Sequence, residues 1–376
     1  MTLALIVYRL TLMTTDGAVG SVLLVRIPRL DSDAGDELAS AGRRATLAFG
    51  LVIGLLAIGL SASVLSGGPL AAPFLTIGLF LPPLLLHETL RVQAFAMQRP
   101  VDAVWGDAVW VGIGGTGVLA LALFVDGVSS WQLLAVWSAG ALAGAWVMRR
   151  RLARSESRAT MTVRRYLTEH RRLAGAFLTD NVVSVGSVEL ASVAVSAGLG
   201  IGALGRWRTS SIVFSPLDPL RAAVISWAVP RATSSGQSQT QVRAEFRKLG
   251  IILGILTTVL TIPLGLLALK ISDLSDGSSA WANIQSLIAP AAILTIVRAF
   301  SGPFAYLLRI EERSSAIVRL RLFDGISLII AVGAATTATL TVVAWTFAVQ
   351  RIVMGVIWFV ASQHPASLRE EAIDPT

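Results

Sequence analysis

The sequence predicts an all-α, polytopic membrane protein with about eleven transmembrane helices in two pseudo-repeated lobes, five helices and six, around a central cavity. Three observations carry this. The 376 residues are 54% hydrophobic and only 14% charged, with a mean hydropathy of +0.71, whereas soluble domains carry about a quarter charged residues. Several stretches reach the roughly 20 apolar residues that cross a bilayer. Arginines crowd into alternate connections between those stretches, as orientation in a membrane requires.

The spans run in order at 2–26, 45–66, 70–92, 103–125, 130–148, 173–202, 209–229, 249–270, 284–307, 316–336 and 338–361. The first has no basic start or small-residue cleavage site, so it is not a signal peptide, and it carries Arg9 and Asp16. "GLVIG" (50–54) in the second span and "GALAG" (140–144) in the fifth offer small residues for close helix contact. The third closes on "HETLR", where Glu88 and Arg91 are spaced to pair, and the fourth holds Asp107. In the sixth, Asp180 and Glu189 are nine residues apart and point to nearly opposite faces. Pro216 and Pro219 break the seventh near one end, beside Asp218 and Arg221, which are also spaced to pair. Arg298 lies midway along the ninth, Asp324 in the tenth and Arg351 in the eleventh.

Other classes fall away. There is no cysteine, hence no disulfide framework or thiol nucleophile, and the three histidines (His87, His170, His364) form no ligand motif. "GIGGTG" (112–117) and "GLGIGALG" (198–205) contain the dinucleotide fingerprint but lie in membrane spans, where no strand precedes them. No cofactor is expected. The charge of +8 and pI near 11.0 do not point to nucleic acid, because residues 149–172, with nine arginines and two acids, contain a single aromatic, Tyr166. That stretch reads as a cytosolic loop held by positive charge against anionic headgroups.

The arginine-rich connections, 149–172 among them, are therefore assigned to the cytosol, with the carboxyl tail. The expected organisation is an N-terminal lobe at 1–148, a linker at 149–172, a C-terminal lobe at 173–362 and a cytosolic tail at 363–376. Counting back from the linker places the amino terminus outside with an odd number of spans, which predicts one further helix ahead of Met1. The halves repeat: Arg91 and Arg309 lie 218 residues apart, and Asp107 and Asp324 lie 217 apart, in corresponding spans. Spans of like orientation give a parallel repeat.

"HETLRVQAFAMQRPVDAVWGDAVW" (87–110), spans that close on Pro-Arg, and the paired lobes resemble the multidrug/oligosaccharidyl-lipid/polysaccharide exporter superfamily, and within it the O-antigen-type polysaccharide flippases. The resemblance covers nearly all of residues 1–362 without the usual first helix. It implies alternating access between two lobes around a cationic cavity, carrying a lipid-linked sugar across the cell membrane.

Ionisable groups cost several kcal/mol at mid-bilayer, so they face a cavity or a partner. Candidates to meet an anionic lipid-linked glycan are Arg9, Asp16, Arg221, Arg298 and Arg351, since guanidinium binds phosphate bidentately. Glu88, Arg91, Asp107, Arg309 and Asp324 are candidates for gating or for contacts within the lobes. The expected partners are that substrate, the lipid bilayer and an ion or proton gradient. The expected function is a flippase for lipid-linked oligosaccharide or polysaccharide precursors. A cation-coupled drug exporter using Asp16 is the alternative. A glycosyltransferase using Asp273 and Asp276, or a non-transporting scaffold, stands further off.

Overall fold

A computed structural model of the chain describes residues 2–63, 66–68, 70–152, 161–234, 238–275, 281 and 283–364. All regular structure among them is helical. In chain order the helices are α1 (Thr2–Thr15), α2 (Ser21–Arg26), α3 (Ser32–Ser63), α4 (Ala71–Ala96), α5 (Pro100–Trp110), α6 (Thr116–Phe124), α7 (Ser130–Leu152), α8 (Val163–Leu199), α9 (Ile201–Ile212), α10 (Leu217–Ser234), α11 (Gln239–Leu274), α12 (Gln285–Ile310), α13 (Ser314–Ala335) and α14 (Leu340–Gln363). A π-helical turn at Asp16–Gly20 joins α1 to α2, and another at Val111–Gly115 joins α5 to α6, so each pair runs as one pass.

Among the described residues nine passes are long and apolar enough to cross a membrane, and α9 with α10, bent by 54°, makes a tenth. α13 is a further 22-residue helix whose Arg319, Arg321 and Asp324 take it out of a purely apolar definition. The chain is an all-helical multi-pass membrane protein, and its passes follow the order of the expected spans. Leu55, Ile255, Leu266 and Ile330 are more than half exposed, as side chains facing acyl chains would be.

Several helices outrun the expected spans. α3 starts at Ser32, where Asp31 Oδ1 accepts from the Ala34 amide at 2.8 Å. α11 starts at Gln239 behind a capping box of Ser238 and Gln241. Capped polar turns lengthen a helix beyond the lipid, and a hydropathy window does not register them. The arginine-rich stretch is also shortened: residues 149–152 close α7 and 163–172 open α8, while 153–160 lie outside the described residues, as does the expected tail from 365 onward. The seventh pass begins at Ile201, directly after Gly200, whose φ of +86° turns the chain out of α8.

The described residues fall into two compact units, Met1–Val182 with Ser226–Ser235, and Val183–Ile225 with Gly236–Thr376. In the first, α4 is packed by α3, α5 and α7, with Ile77, Leu84, Leu90 and Met148 in the core. In the second, α12 is packed by α11, α13 and α14 around Leu294, Val343 and Phe347. Small residues set the spacing: a Cβ on Gly54 of α3 would lie 2.5 Å from the Gly78 carbonyl of α4.

The junctions α4–α5 and α12–α13 are built alike. Amides 97, 98 and 99 donate to carbonyls 93, 95 and 94, and amides 311, 312 and 313 donate to carbonyls 307, 309 and 308. Gln98 and Glu312 hold φ of 55° and 54° at the left-handed position of this helix stop. Arg99 Nη2 then donates to the Arg151 carbonyl at 2.9 Å, at the end of α7. Arg313 Nη1 donates to the Ala361 and His364 carbonyls at 3.1 and 3.0 Å, at the end of α14. The structural repeat is therefore 214 residues. This corrects the pairing of Arg91 with Arg309 and of Asp107 with Asp324, each displaced by about one helical turn. Like charges suggested that pairing, whereas the backbone stop fixes the register.

Candidate functional site

In the first unit polar groups gather around the π-turn of the opening pass. Asn181 Nδ2 of α8 donates to Asp16 Oδ2 at 3.0 Å and to the Met13 carbonyl at 3.3 Å. Gly17 permits the approach: a Cβ there would lie 2.8 Å from Leu178 Cα and from the Phe177 carbonyl. Tyr166 OH donates to the Ala18 carbonyl at 3.1 Å. π-turns insert one extra residue and often mark functional positions; this one carries Asp16 at its start.

One step away, Arg91 binds Glu88 Oε2 through Nη2 at 2.7 Å and Nε at 3.0 Å, the expected local pair. Asp107 and Asp16 also lie within electrostatic reach of Arg91, and Tyr8 lies within reach of both Glu88 and Arg91. Asp107 on α5 stands 3.6 Å from Nε2 of His87 on α4. His87 is fully buried against Trp110, ring centroids 4.5 Å apart, and Trp110 Nε1 in turn donates to the Trp137 carbonyl at 3.0 Å. No spacing in the sequence singles out His87 or Asn181. Both are assembled only by the fold.

In the second unit Asp324 is the centre. Arg351 Nη1 of α14 donates to both its oxygens at 2.8 and 2.7 Å, Arg321 Nη1 to Oδ2 at 3.0 Å, and Gln350 Nε2 to Oδ1 at 3.0 Å. Arg321 lies over Trp358 and Arg351 over Phe347, with 4.8 and 5.3 Å from guanidinium to ring centroid. The side chain of Asp324 is 3% exposed, so this is a buried charge cluster fastening α13 to α14. The structure brings Arg351 and Asp324 together. Arg321 and Gln350 are the partners that the sequence left unmarked.

Arg9 is exposed on α1 and Arg298 is exposed midway along α12. Arg221 is half-buried and pairs with Asp218 at 3.2 Å, as its spacing suggested. Arg309 is buried, its guanidinium 4.6 Å from the Tyr306 ring centroid. Asp180 is buried, while Glu189 pairs with Arg208 at 3.1 Å. Asp273 accepts from Gln285 at 3.2 Å, and Asp276 lies outside the described residues. Among the described residues no group of three or more His, Asp or Glu is placed to hold a metal ion.

No protein-family model matches the chain, and no curated protein matches it by sequence. Solved structures do match in fold. A multidrug resistance MATE family transporter of the MOP superfamily, in an outward-facing conformation, is similar over 98% of this chain and 86% of its own, with 12% identity and a TM-score of 0.72. The MATE transporter ClbM in complex with Rb+ is similar over 99% and 88%, with 13% identity and a TM-score of 0.74. A MOP superfamily transporter from Pyrococcus furiosus Vc1, described as having a binding pocket of reverse polarity that suggests a different function, is similar over 99% and 87%, with 13% identity and a TM-score of 0.71. The chain has the fold of these transporters.

Proposed function

We propose that the chain is a transporter rather than an enzyme, a flippase that moves anionic lipid-linked glycan precursors across the cytoplasmic membrane by alternating access. The fold of MOP superfamily transporters supports the transport class. Arg298 carries the choice of an anionic substrate. It is exposed midway along an apolar 26-residue helix, where a guanidinium facing hydrocarbon costs several kcal/mol and one facing a hydrated path toward phosphate does not. Arg9, exposed on α1, and Arg221, half-buried on α10, extend the same chemistry. Arg351, Arg309 and Asp324 act in this reading by holding helices of the second unit, and Glu88, Arg91 and Asp107 by ordering the first. The arginine-rich connections face the cytosol, and an ion or proton gradient supplies the energy.

Arg298→Ala tests the reading. Transport falls at least about tenfold, the loss of one charge-assisted phosphate contact of about 1.5–3 kcal/mol, while insertion stays that of the parent. Wild-type transport removes Arg298 from the substrate path.

A second reading, a cation-coupled drug exporter, is favoured by the Asp16–Asn181 pair inside the first unit. Depleted cells separate the two. Lipid-linked glycan accumulating on the cytosolic leaflet supports the flippase, and unchanged glycan intermediates with reduced dye efflux support the exporter.

A further inference from the structure

We propose that the paired ends of α5 and α7 bind an anionic phospholipid of the surrounding bilayer, with its headgroup on Arg149 and Arg150 and its acyl chains along the two helices. None of the residues assigned to substrate takes part. α7 ends on three consecutive arginines, Arg149, Arg150 and Arg151. Two of them lie over indoles of different helices. Arg150 is 3.8 Å from the ring centroid of Trp146, and Arg151 is 5.7 Å from that of Trp105 on α5. The same end is braced by a carboxylate. Arg151 Nε donates to Asp102 Oδ1 at 2.6 Å, and Arg99 Nε lies 2.7 Å from Asp102 Oδ2. The Asp102 side chain is 8% exposed, so its charge is engaged with Arg99 and Arg151, while Arg149 and Arg150 are exposed. A guanidinium over an indole uses its face and keeps its N–H edge for an acceptor such as phosphate.

Below the arginines the same face is apolar and open. Leu142, Trp146 and Arg150 follow one another at intervals of four along α7, as Val101 and Trp105 do along α5, so each set forms one stripe. Leu142, Trp146, Val101 and Trp105 are all more than half exposed, in passes long and apolar enough to cross a membrane. Trp146 sits four residues inside Arg150, about 6 Å along the helix. Tryptophan concentrates at that depth, where headgroups give way to hydrocarbon. Cation, indole and aliphatic side chain thus follow the order of a phospholipid: phosphate, glycerol, acyl chain. A free anion would use the arginines alone, whereas the open apolar stripes fit a lipid.

Charge decides which phospholipid. A zwitterionic headgroup brings its own ammonium, which competes for the phosphate. A headgroup of net negative charge gains about fivefold in binding from each nearby arginine. Arg149 opens the arginine-rich stretch whose composition assigns it to the cytosol, so the lipid belongs to the inner leaflet.

The full chain, purified in detergent, is tested by native mass spectrometry with phosphatidylglycerol, with phosphatidylcholine of the same acyl chains, and with inorganic phosphate. Phosphatidylglycerol is expected to bind at least about tenfold more tightly than phosphatidylcholine, and far more tightly than phosphate. Arg149→Gln combined with Arg150→Gln removes that preference at an unchanged melting temperature. Arg319→Gln, which takes away an exposed arginine of α13, leaves it in place. Equal binding of the two phospholipids by the parent, a preference that survives the double substitution, the same loss in Arg319→Gln, or phosphate binding as strong as the lipid's overturns the proposal. The measurement involves no transport, so failure of the lipid site and failure of the flippase reading are observed separately.

Discussion

Asp324 receives four side-chain hydrogen bonds from three residues in an interior that excludes water. Removing it takes away the carboxylate that both guanidinium groups share. Asp324→Ala should lower stability by about 3–5 kcal/mol, the cost of stranding a buried charge, seen as earlier thermal unfolding in detergent; an unchanged melting curve would contradict the cluster's role. Gly144→Ala forces a methyl against both His87 and the Gly106 carbonyl, 2.6 Å away, and should cost about 1–3 kcal/mol by overpacking. Single residues were legible where partners lie on one helix turn: Glu88 with Arg91, and Asp218 with Arg221, pair as their spacing indicates. Partners joined across helices were not. Nothing local ties Arg351 to an aspartate 27 positions earlier, or an isolated His87 to Asp107.

Elements were legible to the extent that apolar runs define them. The order of passes follows the hydrophobic pattern, while helix starts depend on polar caps such as Asp31 and Ser238 that lie outside it. The two π-turns left no hydropathy signature either. Gly17 is the residue on which the first depends, because its Cα hydrogen faces the backbone of α8. Gly17→Ala should therefore part the opening pass from α8, break the Asp16–Asn181 hydrogen bond and cost about 1–3 kcal/mol; an amide signal of Asn181 that stays put would refute this. The duplicated helix stop makes a paired prediction. Arg99→Ala and Arg313→Ala each release carbonyls at the end of a neighbouring helix, and each should lose about 1–2 kcal/mol in the same melting assay. An effect in only one half would argue against equivalence of the junctions.

For the whole molecule, the repeat of 214 residues places like helix stops in both halves, while the charged groups around them differ. The proposed function assigns Arg298 to the contact with an anionic headgroup. The membrane class and the helical fold followed from composition and run length. The substrate chemistry rests on a few arginines whose exposure only the fold reveals. Reconstitution in vesicles tests that chemistry most directly, by comparing translocation of a lipid-pyrophosphate oligosaccharide with that of a neutral glycolipid bearing the same sugars. The pyrophosphate lipid is predicted to cross at least about tenfold faster, the factor worth roughly 1.4 kcal/mol of selective headgroup contact. Equal rates for the two lipids, or rates no higher than in protein-free vesicles, would contradict it.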